Sequence, residues 1–435
     1  MLKFTIVEGI NKVLGLFLTA IISRLLTQEL FAEFLYYQTI FSYLLVFSIL
    51  SSDYKFLVNY KINKSFLGSP PFYQTLFIRG VFVLLILVIS PFFILYYDRL
   101  AFWPYMISIA GTVILFTFIM YVEGEKQKLM KYRFWAQVIS ILFVLVFYFN
   151  WLSPYFITSL QAFQNLFLTI GVFFVAKKYI APYFKWKSFV FAIQNIKWKV
   201  FLDLLVYFFI RNFIFFITTI EVLILSFLSL EKGRNVFVEG LRLANTLLPF
   251  AIFYIAFNIN KFKKNFFKVL TAIALLNLFL APFFVFLLFG TAYISKVYFY
   301  NFFLLTFLFS AMMEKEFLSF LTLKNDARHA LLYFNLTYFI FSTVFVFLNL
   351  SLGISDPLSI IILYTLKLLI YYVLLIVRFK LPQSIKQVLI AFSLVLALNF
   401  GLERFGYYRK THHTINVVKN EMMQLYYSRI GSTGK

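Results

Sequence analysis

Apolar runs of about twenty residues recur along this chain, each long enough at about 1.5 Å per residue to cross a hydrocarbon core about 30 Å thick. They fall at about 4–26, 34–52, 74–97, 103–122, 134–152 and 155–176, then at 203–230, 237–258, 265–290, 297–321, 330–352 and 357–379. A soluble core has no place for so much lipophilic helix. The 435 residues are 62% hydrophobic and 13% charged, with mean hydropathy +0.88, against roughly 45–50% and 25% in soluble domains. The expected fold class is all-α: a polytopic membrane protein of six spans, a basic connector and six more.

Lys and Arg gather in alternate gaps. With the N-terminus cytoplasmic, the cytoplasmic stretches hold 26 of them and the exterior connectors 6, as the positive-inside rule requires. The connectors are too short to hold a folded extramembrane domain, so any chemistry falls to the helices. Residues 181–199, APYFKWKSFVFAIQNIKWK, mix Lys with aromatic rings in the manner of an interfacial segment. Placing Ala32 on Asn235 gives each half the same order of span, connector and span, the layout of parallel repeats. The expected organisation is an N-terminal lobe at 1–180, a linker at 181–200, a C-terminal lobe at 201–380, and a thirteenth apolar segment with a basic tail at 381–435. Ile385 to Leu402 is of marginal length, and the sequence leaves its crossing open. Pro91, Pro249 and Pro282 fall inside spans, where each removes a backbone hydrogen bond. Asp356-Pro357 reads as an N-cap followed by proline at the first helical position.

The stretch from Phe201 to Phe250 carries four ionisable groups at or inside its apolar part: Asp203, Arg211, Glu221 and Arg242. Each such charge costs at least roughly 2.5–3.5 kcal/mol on insertion scales, so these groups usually face a protein interior or a wet cavity. Glu221 lies near mid-depth, either as a protonatable or cation-binding group or as a carboxyl that ties helices together. Arg211, ten residues earlier and about 80° around the helix, does not pair with it directly; it can bind an anion or neutralise Asp203. Lys367 is too deep to reach water easily, and serves either a buried acid or a substrate. Arg24 and Arg242 lie near exterior helix ends. Arg242, three residues after Glu239, has an i,i+3 ion pair as its default, and Glu8 with Lys12 forms an i,i+4 pair.

Other classes fall away. The net charge of +23 is spread over connectors rather than gathered into a nucleic-acid patch. There is no Cys, hence no thiolate site or cysteine nucleophile. The terminal GSTGK lacks the spacing and the strand–helix setting of a phosphate loop. His412-His413 sit side by side in a polar tail, unlike metal ligands on one helical face. No Ser/His/Asp triad assembles. Neither an enzyme nor a cofactor is expected.

The residues around two helix ends resemble the multidrug/oligosaccharidyl-lipid/polysaccharide exporter superfamily, and within it the Wzx-type polysaccharide flippases. Ser23-Arg-Leu-Leu-Thr-Gln-Glu-Leu-Phe-Ala-Glu-Phe34 resembles the family's R-x-L-G-x-x-x-F-G-x-Y, with Thr27 and Ala32 where Gly is usual and Phe34 for Tyr. Glu221-Val-Leu-Ile-Leu-Ser226 resembles D-R-x-x-L-G, with Val222 for Arg, and Asn235-Val-Phe237 with Leu241-Arg-Leu-Ala244 resembles the G-x-Y…A-x-R/K-L that follows. Ser351 to Ser359 is similar to the loop before the family's last core helix. The resemblance covers about residues 1–380 and rests mostly on the six-plus-six layout.

It implies two six-helix bundles around a central cavity, moving a polyprenyl-pyrophosphate-linked oligosaccharide across the cytoplasmic (inner) membrane by alternating access, for O-antigen or capsule-type polysaccharide synthesis. The partners it implies are the lipid-linked oligosaccharide, membrane lipid and an H⁺ or Na⁺ gradient, with the protein a monomer. A pyrophosphate brings about two negative charges into a low-dielectric space, where Arg and Lys offset its desolvation. Arg24, Arg211, Arg242 and Lys367 are the substrate-binding candidates, and Glu221 and Asp203 the ion-coupling ones. Two readings compete: a membrane polysaccharide polymerase or glycosyltransferase, which needs a larger exterior loop, and a drug exporter of the same fold, which needs a more acidic cavity.

Overall fold

Where they are described, the apolar runs are helical apart from one break, and no strand occurs among the described residues. A computed structural model of the chain describes residues 2–97, 103–148, 160–242, 266–305, 308, 325–381 and 385–432. The parts of the expected spans beyond 148, 242 and 305 lie mostly outside these residues, as do Pro249 and the side chains of Glu8 and Lys12.

In chain order the helices are α1 (Leu2–Leu25), α2 (Gln28–Ile49), α3 (Ser52–Ile62), α4 (Pro70–Tyr97), α5 (Trp103–Gly111), α6 (Thr117–Val122), α7 (Lys126–Tyr148), α8 (Leu160–Ile180), α9 (Trp186–Gln194) and α10 (Trp198–Phe227). After them come α11 (231–242), α12 (Phe266–Phe289), α13 (297–305), α14 (Asn325–Ser351), α15 (Pro357–Phe379), α16 (Ile385–Arg404) and α17 (Tyr407–Ser432). Seven of the described helices are long and apolar enough to cross a membrane: α2, α4, α10, α12, α14, α15 and α16. The thirteenth segment is thus an uninterrupted helix of 20 residues, and Pro282 lies inside α12 without ending it.

Internal contacts divide the chain into two compact units, Met1–Leu18 with Glu33–Val222 and Met313–Phe345, and Thr19–Ala32 with Leu223–Met312 and Val346–Lys435. The first is centred on aromatic packing. Phe56 lies 5.1 Å from Phe72 and 5.1 Å from Phe118, ring to ring, in a cluster closed by Leu67, Tyr73 and Ile119. Asn63 turns the chain out of α3 by accepting from the Ser65 amide at 3.0 Å.

The expected span at 103–122 is not one helix. It breaks into α5, a 3₁₀ turn at Thr112–Ile114 and α6, with Leu115 extended between them. No proline causes this. Arg79 of α4, fully buried, donates to the carbonyls of Thr112 and Leu115 at the break, to Asp53 Oδ1 at 2.8 Å and to Ser52 Oγ at 3.3 Å. Thr117 Oγ1 donates to Asp53 Oδ2 at 2.6 Å. Breaking a helix leaves carbonyls without their i+4 donors, and the guanidinium supplies substitutes while Asp53 balances its charge.

Beside this core, α9 is a short amphipathic helix that buries Ala192 and exposes Trp186 and Phe191, with Trp198 exposed just beyond it. Rings displayed this way suit the headgroup level expected of residues 181–199. Between α6 and α7, two carboxylates gather the basic ends of neighbouring elements. Glu123 pairs with Lys64 at 2.8 Å and accepts from Tyr60 at 2.8 Å. Glu125 meets Lys178 at 2.6 Å, Lys128 at 2.9 Å and the Tyr179 hydroxyl at 2.9 Å. Lys178, then Lys128 and Tyr179, hold the Glu125 carboxyl down at about 2.

In the second unit α15 is the buried helix. Asp356 caps it as the sequence predicts, accepting from the Ser359 amide at 2.8 Å with Pro357 in the first turn. Its inner face, spaced at helical intervals, includes Ile360, Tyr364, Leu368, Tyr371 and Leu375. The Tyr364 ring packs 4.9 Å from Phe237 and 5.5 Å from Phe303. Gly240 allows this approach, since a Cβ there would overlap the Phe303 ring. Asn301, Asn399 and Tyr408 form a buried hydrogen-bonded set tying α13, α16 and α17 together.

Candidate functional site

Asp203, Tyr207 and Arg211 stand at i, i+4 and i+8 on α10, a spacing that advances only about 40° per step and so keeps them on one strip. Two basic residues from elsewhere join the strip. Lys55 of α3, buried, places its ammonium 3.8 Å from the Asp203 carboxylate and 3.2 Å from the Val200 carbonyl. Arg328, in the first turn of α14, donates to the Tyr207 hydroxyl at 3.0 Å, with its guanidinium 5.8 Å from the centre of that ring. The strip therefore carries three cations and one carboxylate, all within the first compact unit.

Arg211 lies near the middle of the 30-residue α10, about 20 Å along it from Trp198. It is exposed, although most of the helix around it is buried or half-buried. A guanidinium at that depth against lipid tails would cost at least about 2.5–3.5 kcal/mol, so its surroundings must be wet or polar. A planar fork of donors suits a phosphate or carboxylate, which it can take bidentately.

The structure places the six residues singled out in the sequence as follows. Asp203 and Arg211 share the strip, but Asp203 is paired with Lys55 rather than Arg211. Glu221 is buried, 1% exposed, near Tyr43, whose hydroxyl accepts from Thr219 at 2.7 Å. The other three belong to the second unit. Arg24 donates to the carbonyls of Phe286 at 3.4 Å and Leu287 at 2.8 Å, so it caps the last turn of α12. Arg242 donates to Thr19 Oγ1 at 2.7 Å. Its expected partner Glu239 instead takes Lys296 at 2.8 Å and the Tyr300 hydroxyl at 2.6 Å. Lys367 is buried, with its ammonium 5.2 Å from the centre of the Tyr364 ring, a cation–π arrangement.

Lys55, Arg79 and Arg328 are absent from the sequence-based candidates because each reads as a connector or span-end charge. Only the Asp203, Tyr207, Arg211 spacing was available as a signal. A groove of about 310 Å³ between α7 and α8, with Ser140 and Gln164 in an otherwise apolar lining, includes none of the six. Among the described residues no cluster of His, Cys, Asp or Glu could hold a metal ion. The chain matches no family model, no curated protein and no solved structure.

Proposed function

We propose that the chain is a flippase that moves a polyprenyl-pyrophosphate-linked oligosaccharide across the cytoplasmic membrane by alternating access, without enzymatic chemistry. The observation that carries the reading is Arg211, exposed at the middle of a membrane-length helix on a strip with Lys55, Tyr207 and Arg328. A charge exposed at that depth is costly against lipid tails, and intramembrane ionisable residues mark substrate and ion paths. A pyrophosphate supplies the anion, while its polyprenyl tail remains in lipid.

The interrupted α5–α6 segment supports a moving part, because discontinuous membrane helices recur at transport sites. In this reading Arg211 and Arg328 hold phosphate oxygens, with Lys55 and Asp203 fixing the charge balance at the near end of the strip. Glu221, 1% exposed, is the carboxyl assigned to coupling to an H⁺ or Na⁺ gradient. Arg24, engaged with two terminal carbonyls, serves the structure of α12 instead.

The test is deletion of the gene followed by analysis of its lipid-linked sugars on the two membrane faces. Complete, unpolymerised lipid-linked oligosaccharide should accumulate on the cytoplasmic face. Accumulation on the exterior face would replace the flippase with a polymerase, and no accumulation would remove lipid-linked sugars as the substrate.

A further inference from the structure

The C-terminal helix α17 presents an apolar stripe of which one half is buried and the other exposed. Tyr408, Ile415, Val418, Met422 and Leu425 recur at spacings of 7, 3, 4 and 3, which keeps them within about a third of the helix circumference. Tyr408 and Ile415 are buried, at 4% and 8% exposure, where α17 packs against α12, α16 and the turn at Thr291–Lys296. The start of the helix is fixed there: Tyr407 donates to the Phe279 carbonyl at 2.9 Å and Tyr408 to Asn399 Oδ1 at 2.8 Å. Beyond Ile415 that cover ends. Val418, Met422 and Leu425 are 47%, 65% and 62% exposed.

What meets this exposed half follows from position and charge. α16, long and apolar enough to cross a membrane, ends at Arg404. α17 begins at Tyr407 after Phe405, 78% exposed, and Gly406, whose φ of 67° permits the sharp turn. A 26-residue helix that polar is unsuited to the hydrocarbon, yet it starts within one turn of a helix long and apolar enough to cross a membrane. Arg404, Arg409, Lys410 and Lys419 outnumber Glu403 and Glu421, and Glu403 is engaged by Arg409 at 3.5 Å.

We infer that the outer half of α17 lies in the headgroup layer of an anionic bilayer, with Val418, Met422 and Leu425 inserted among the acyl chains and its basic residues on lipid phosphates. The helix would thereby anchor the end of α16 to the membrane surface and make its orientation sensitive to lipid charge. The inference is independent of the transported substrate.

The absence of Cys allows single labels. Full-length Met422→Cys and Gln424→Cys, on opposite sides of α17, would carry a bimane fluorophore in vesicles of phosphatidylcholine alone or with half phosphatidylglycerol. At 422, acyl-chain nitroxide lipids should quench at least threefold more than at 424 in the anionic vesicles, and aqueous acrylamide correspondingly less. Lys410→Gln with Lys419→Gln should reduce that contrast. Equal quenching at the two positions in both vesicles would overturn the inference. So would protection at 422 that grows with protein density and ignores lipid charge, which would assign the stripe to a second copy of the chain.

Discussion

Replacing Asp53 by Ala isolates what holds the broken helix together. The Arg79 guanidinium is fully buried, while the Asp53 side chain keeps 21% of its surface exposed. Removing the carboxylate leaves the charge buried with only neutral acceptors, those of Ser52, Thr112 and Leu115, and deprives Thr117 of its own acceptor. Breaking a buried pair by deleting one partner costs about 3–5 kcal/mol. The partial exposure of Asp53 places the expected loss near the lower end, about 3 kcal/mol. Asp53→Asn keeps an oxygen for Arg79 and a polar group for Thr117, so it should lose about half as much. Arg79→Met with Asp53→Ala, which removes both charges, should recover part of the single-variant loss, because no uncompensated charge remains. Equilibrium unfolding in mixed detergent micelles, followed by tryptophan fluorescence and circular dichroism, measures all three. A loss below about 1 kcal/mol for Asp53→Ala, or a double variant less stable than the sum of the singles, would refute the assignment of the pair as the support of the break.

Three further outcomes follow from the same geometry. On the proposed function, Arg211→Ala should lower transport of the lipid-linked substrate by roughly 10- to 100-fold, the equivalent of one charge-assisted hydrogen-bonded contact; Arg211→Lys should restore only part, as a transport assay would reveal. Glu125 is held at about 2 against an ordinary 4.5, so its stabilisation is present above about pH 4.5 and lost as pH falls through about 2. Glu125→Gln should therefore be less stable than the parent at neutral pH and indistinguishable from it near pH 2, measured by unfolding across that range. Gly240→Ala drives a Cβ into the Phe303 ring, whereas Gly233→Ala meets the movable end of Ile360 at 2.6 Å. The first should cost about 1–3 kcal/mol and the second clearly less, in the same unfolding assay.

Much of the molecule can be read from residue order because its rules are local. An apolar run of membrane length has few options other than helix, since lipid offers no partner for backbone amides. The cap at Asp356-Pro357 needs only residues three apart. The extra segment at 385–404 was legible as apolar, and its continuity as a helix is consistent with a run that has no proline and whose one glycine, Gly401, falls in the last turn. The break at 112–116 was not legible. Its cause is Arg79, more than thirty residues away, which offers carbonyls an alternative to the helical bond.

The candidate site divides in the same way. The sequence by itself placed Arg211, Glu221 and Lys367 inside apolar runs of membrane length, and Asp203 and Arg242 toward the ends of such runs, because position in a run is a matter of counting along a helix. Only the tertiary structure decided their partners and exposure: Lys55 for Asp203, Lys296 rather than Arg242 for Glu239, a ring beneath Lys367, and the exposure of Arg211. Helical periodicity fixes where a side chain points on its own helix. The group it meets there comes from a distant part of the chain, and long-range packing alone brings the two together.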